Sequence, residues 1–365
     1  MSMQELQKRV DEEPRPKVQV SFSGRIHSPF NLQGAENSIS HLATHFEQST
    51  GRGILLLENA HGTPTMAETI RRKTSAYGGL ANVIIATDLQ ETLKVVPSVE
   101  TVNSRRARID EAGFDSVVTH TLLPSIFFAE YYLFKGIDSL RQTYQFDIEH
   151  ESLTASTVNR VKSLLSKEGL LSRQETEHFK HGEFDEAVDA NKGKLETLKE
   201  LGELRDAAIA DSMRRRISEM LRSSRGGSIA MLFGSTHSSI TERVKGKLGD
   251  SSQVGFNVYL GPAENLIRQV VYGKTVNNEP VADIDHLHDI AINFVSDAIQ
   301  RHAIDTGRIA EYARNYETLN LGVINSFVSN LSEDEMRGIL RKDDKAMAEF
   351  VSKSSLSEQV KHILA

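Results

Sequence analysis

Apolar and polar residues alternate with period two from Lys17 to Ser23, the pattern of a strand half-buried on a core. After Ala35 the period changes. Ile39, Leu42, Ala43 and Phe46 recur at helical spacing and predict a helix to about Gln48. Gly53 to Glu58 is a continuous apolar run after a glycine, which suits a central strand buried on both faces. Pro64 stands where a first helical turn would start, and a helix is predicted over Met66–Ala76. Ala81–Ala86 is apolar enough to predict a third strand. Strand and helix thus alternate, which calls for βαβ units and a mostly parallel sheet.

From about Asn103 to Arg222 the pattern reads helical throughout, with Leu195, Leu198, Leu201, Leu204 and Ala208 striping a helix over roughly Lys194–Arg222. Arg225-Gly226-Gly227 ends it. Strands return at Ser228–Phe233 and Val254–Leu260. Beyond about Pro280 only amphipathic helices are predicted: Asp285–Ala303, Asp305–Thr318 and three shorter ones to Leu364. The expected fold is α/β, with a mixed, mostly parallel sheet. The core spans 17–275 with a helical insertion at about 103–222, and a helical C-terminal segment covers 280–365.

Composition narrows the chemistry. The 365 residues contain no cysteine, which removes disulfides, thiolate metal sites and cysteine nucleophiles, so any metal must be held by His, Asp and Glu. A net charge of -7 speaks against a general nucleic-acid binder, and Arg214-Arg215-Arg216 reads as a solvated helix face. The first residues are polar and lack the apolar core of a signal peptide. The most apolar stretch, Leu122–Phe134, carries Glu130 and falls short of the roughly 20 residues a membrane span needs. A buried helix and a cytoplasmic protein are the expectations.

Three predicted strand ends carry reactive side chains. The first ends in Gly24-x-x-His27, the second in Glu58-Asn59-Ala60-His61, the later one in Gly234-x-x-His237. In open α/β sheets ligands bind beyond the carboxyl ends of strands, so His27, Glu58 and His237 are placed to converge on one ion or one water. Arg205-Asp206 on the long helix reads either as a surface pair or, leaning toward the sheet, as a clamp for an oxyanion or carboxylate. Other sets are weaker. Asp283, Asp285, His286, His288 and Asp289 diverge around a helix, and His178 and His181 lack a third partner. Glu130 amid aromatics reads as a buried carboxylate or as the wet edge of its helix. No nucleophile elbow, phosphate loop or dinucleotide fingerprint is present.

The series Gly24-x-x-His27, Glu58, Leu204-Arg205-Asp206-Ala207-Ala208-Ile209-Ala210 and Phe233-Gly234-Ser235-Thr236-His237 resembles the TraB/Tiki superfamily, which includes ChaN-like and erythromycin esterase-like proteins. The resemblance covers about residues 17–270 as sparse motifs. It implies a core of two related halves with both Gly-x-x-His motifs facing one cleft, and His27, Glu58, Arg205 and His237 as the site. Tiki-like members imply metal-dependent peptidase chemistry, esterase-like members a histidine that activates water, and ChaN-like members a haem-type ligand. Arg25 departs from the acidic residue that many members carry after the first glycine.

If a divalent metal ion is the cofactor, His27, Glu58 and His237 form a two-histidine, one-carboxylate set with Asp206 as fourth ligand or outer-shell support. Without metal, His27 is the general base and Glu58 orients it. The expected reaction is attack of water on the acyl carbon of a small-molecule or peptide substrate. The alternatives are a non-catalytic metal- or haem-binding protein, and an interaction protein whose C-terminal helices engage a partner or a second copy.

Overall fold

The computed structural model describes residues 17–25, 28, 30–49, 51–58, 64–119, 128–151, 153–223, 226–234, 237, 239–248, 252–260, 274–275 and 279–364. Five strands form one sheet: β1 (Val18–Arg25), β2 (Arg52–Leu57), β3 (Asp147–His150), β4 (Gly227–Gly234) and β5 (Val254–Leu260), in the order β3-β2-β4-β1-β5. Every pairing is parallel, so both faces must be covered. The alternation seen in the sequence sorts the strands into two faces. Val18, Val20, Phe22, Ile54, Leu56, Ile229, Met231 and Phe233 form one face, and Leu55, Leu57, Ala230 and Leu232 the other.

The first face is covered by α7 (Phe184–Arg222), through Ile209, Ala210, Met213, Ile217 and Met220, and by α8 (Ser239–Leu248). The second lies under α1 (Leu32–Glu47) and α5 (Phe128–Tyr144), through Leu42, Phe46, Leu133 and Ile137. Part of α1 is polar where it crosses β1. There the buried Ser21 and Ser23 alternate with Val20 and Phe22, and α1 contributes His41 and His45. Burial lowers the pKa of His41 and takes His45 down to about 4, the charge of His41 adding to the effect.

Two expectations about strands are corrected. Ala81–Ala86 is not the third strand; it lies in α3 (Leu80–Leu93), which follows α2 (Pro64–Tyr77). Leu80, Ala81, Asn82, Val83, Ile85, Ala86 and Asp88 are all buried, so the helix shows no apolar stripe and its sequence reads like a buried strand. Its start is fixed from outside: Asp138 on α5 accepts hydrogen bonds from the N–H groups of Leu80 and Ala81 at 3.0 and 3.1 Å. A Cβ on Gly79 would stand 2.7 Å from that carboxylate. The segment 103–222, expected to be wholly helical, contains β3, which pairs with β2 at the edge of the sheet. Around β3 lie α4 (Val99–Thr119), α5, α6 (Ala155–His181) and α7, and α7 starts at Phe184 rather than near Lys194. Residues 122–127 of the most apolar stretch lie outside the described residues; 128–134 are helical.

After β5 the described chain is helical: α9 (Asp283–Asp305), α10 (Ile309–Arg314), a π-helical turn (Thr318–Ile324), α11 (Asn325–Ser329), α12 (Glu333–Leu340), α13 (Asp344–Lys353) and α14 (Ser355–Leu364). These helices share one apolar cluster with the insertion, where Leu287, Val295, Ile299 and Tyr312 meet Ile85, Val102, Ile109, Tyr131 and Phe184. The acidic and histidine-rich start of α9 serves docking. Asp283 pairs with Lys192 and Asp285 with Lys274, while His286 and Asp289 both hydrogen-bond the buried Asn191 of α7. His178 pairs with Glu183 near the surface. Among the described residues no helix is long and apolar enough to cross a membrane.

Candidate active site

Glu58 and Glu151 each stand one residue past a strand, and each continues its ladder by one bond. The Glu58 N–H donates to Leu232 O at 3.1 Å and the Glu151 N–H to Leu57 O at 2.9 Å. Period two then fixes their direction. Leu56 faces α7, so Glu58 does as well; Glu149 and Glu151 both turn to α7, pairing with Arg216 and Arg205. Arg205 and Arg216 are about three helical turns apart and share a face. The arginine row of the helix therefore meets the glutamate row of β3.

At the carboxyl edge of the sheet these groups close into one buried network. Arg205, 8% exposed, grips Glu151 through Nε and Nη2 at 3.1 and 2.7 Å, and the same Nη2 donates to Glu58 Oε1 at 2.9 Å. The other Glu58 oxygen accepts from the Gly234 N–H at 2.5 Å. His237, 2% exposed, places Nε2 3.3 Å from Glu58 Oε1 and Nδ1 2.5 Å from Asp206 Oδ1. Ser239 donates to the second Asp206 oxygen. The Phe233 ring meets the imidazole edge-on, with centroids 5.8 Å apart.

Burial would make every charge here unfavourable, and the pairing decides which survive. Desolvation pushes the Glu151 carboxyl up, and the Arg205 contact only partly pulls it back. Desolvation works against the Arg205 guanidinium too, but Glu151 and Glu58 outweigh it and hold the proton more firmly than usual. Desolvation alone would lower His237. The hydrogen bonds to Asp206 and Glu58 reverse it and raise the imidazole to about 9. At neutral pH His237 is an imidazolium donating from both nitrogens.

Four of the residues singled out in the sequence, Glu58, Arg205, Asp206 and His237, thus meet. His27 and His61 lie outside the described residues. Glu151 and Ser239 complete the network and were not anticipated. Ser239 sits two residues after His237, and that proximity is its one signal in the sequence. Among the described residues no group of three or more His, Asp or Glu side chains is arranged to hold a metal ion. An ion on His237 Nε2 would have to displace a proton and the contact with Glu58. Comparison of the chain with protein-family models, with curated proteins and with solved structures returned no match in any of the three.

Proposed function

We propose that this chain is a hydrolase that directs water at the acyl carbon of an ester or peptide bond, at the carboxyl edge of the sheet where β2, β3 and β4 end. One observation carries the reading: five ionisable side chains from four segments, Glu58, Glu151, the neighbours Arg205 and Asp206, and His237, are gathered, largely buried, at the carboxyl edge of a parallel sheet. Apolar residues would hold a fold at least as well as buried charges, and strongly shifted groups concentrate at sites of chemistry.

In this mechanism the His237 imidazolium is the general acid, giving the Nε2 proton to the leaving group. Asp206 fixes the ring through Nδ1, and Glu58, held by Arg205 and the Gly234 amide, aims and stabilises the Nε2 proton; after the leaving group departs, the proton taken from water returns through solvent to His237. His27, carried over from the TraB/Tiki resemblance, is the base that takes a proton from water. Both ring nitrogens of His237 already face carboxylates, Nδ1 toward Asp206 and Nε2 toward Glu58, and this geometry suits the metal-free route over one in which His27, Glu58, His237 and Asp206 ligate a divalent ion. A second reading, a binding protein without catalysis, draws support from the same network, since both nitrogens of His237 are already matched within the protein.

The test is turnover of a panel of aryl esters and peptides by the purified chain, with Glu58→Gln and His237→Asn alongside and folding followed by circular dichroism. Folded variants slowed about 10²–10⁴-fold, in keeping with lost acid–base catalysis, support the proposal. Glu58→Gln working at the wild-type rate overturns it. Hydrolysis by the wild type should persist in excess chelator.

A further inference from the structure

A second buried polar region lies on the other side of the sheet from Arg205, and the Arg205 network does not use it. Ser23 pairs in register with Tyr259, so both side chains leave the same face of the sheet. His41 of α1 stacks on the Tyr259 ring with centroids 4.9 Å apart and planes 18° apart, which sets it beside Ser23. His45 is one helical turn further on and shares that face of α1. The helix packs on β1, and because it links two parallel strands it runs back toward the amino edge of the sheet, which carries His45 from the Ser23 end of β1 toward the Ser21 end. Ser228 on β4 continues the row, in register with Gln19.

These groups are deeply enclosed: Ser21, Ser23, Ser228 and His45 are 1%, 0%, 0% and 5% exposed. The three serine hydroxyls, His41 Nδ1 and His45 Nε2 have no hydrogen-bond partner among the described residues. Native interiors leave only a few such atoms per hundred residues, and usually where an ion or water completes them. Five along one helix–sheet interface call for an occupant.

We propose that His41 and His45 form a two-imidazole clamp for a divalent transition-metal ion such as Zn²⁺, Ni²⁺ or Cu²⁺. The serine hydroxyls hold the waters that complete its shell. Imidazole selects this class of ion, whereas Mg²⁺ and Ca²⁺ require carboxylate and carbonyl oxygens. Helix positions i and i+4 set side chains about 5–6 Å apart, a span that two ring nitrogens can close around one ion. The site is independent of the hydrolase reading, since Glu58 and His237 face α7.

The experiment is calorimetric titration of the chelator-treated full chain with ZnCl₂ near neutral pH. His41→Ala, His45→Ala, His237→Ala and the surface double variant His178→Ala/His181→Ala are titrated in parallel. Expected are one equivalent bound by the wild type, binding weakened about tenfold or more in each of His41→Ala and His45→Ala, and unchanged binding in the other two. His41 is partly exposed, so its removal tests the clamp even if His45→Ala fails to fold. Absence of stoichiometric binding by the wild type overturns the proposal and leaves the region to water. Wild-type affinity in His41→Ala, or loss confined to His237→Ala or to the surface pair, overturns it as well.

Discussion

Glu58 gives its two oxygens to different elements, Oε1 to Arg205 of α7 and Oε2 to the backbone at the end of β4. Arg205 therefore neutralises the buried Glu151 and shares Glu58 with His237. Arg205→Ala should destabilise the protein by about 3–5 kcal/mol in urea unfolding, because it takes the ion-pair partner from the deeply buried Glu151 and one of two cationic partners from Glu58. Glu151→Gln removes a charge that burial already disfavours and should cost clearly less; equal losses would refute this account of the charge balance. His237 makes a pH prediction. Its folded pKa, about 9, lies above its ordinary 6.5, so between these values the folded chain binds more protons than the unfolded one. Its contribution to stability is complete below pH 6.5 and is lost as pH rises through 9. The melting temperature should fall across that window in the wild type and stay flatter in His237→Asn. Glu58, Arg205, Asp206 and His237 were legible in the sequence because each borders or lies within an element whose periodicity is clear. Glu151 was not: it follows a four-residue strand in which only Ile148 is apolar, too brief for any period to register.

At the scale of elements, the two misread segments have complementary causes. A helix buried on all sides carries no stripe, so α3 imitates a strand; an edge strand tied by ion pairs carries no apolar run, so β3 imitates a stretch of helix or turn. Arg52 with Asp147, and Arg216 with Glu149, join β3 to its surroundings by charge, a bond that hydrophobic patterning does not reveal. Long-range contacts decide both segments. Asp138, 58 residues from Leu80, supplies the acceptors that begin α3. Asp138→Ala should cost about 1–2 kcal/mol, the range for loss of a helix cap, while Asp138→Asn, which keeps an acceptor, should cost less. Thermal unfolding of the two variants measures this, and equal melting temperatures would discount the cap. By contrast, β1, β2, β4 and β5 match the expected segments closely, since alternation or a continuous apolar run was enough to mark them.

For the whole molecule, the C-terminal helices and the insertion are one packing unit. Phe30, just after the first Gly-x-x-His motif, packs on Tyr312 with centroids 6.2 Å apart, and Asn31 donates to the buried Glu317 at 3.2 Å. A chain ending at residue 282 should expose the apolar surface of α3, α4 and α5 and be recovered mainly as aggregate, whereas the full chain should melt in one calorimetric transition. A soluble, monomeric truncated chain would show the segments to be separable. The strand order also dictates a schedule. Both neighbours of β1, β4 and β5, are made about 200 residues after it, so at typical synthesis speeds β1 waits roughly 10–40 s for a partner. During that interval Val18, Val20 and Phe22 have no sheet to join, and a nascent chain halted before β4 should be held by chaperones and readily cut by protease near its start. Residues up to 234 of the 365 must be made before the first strand can be used.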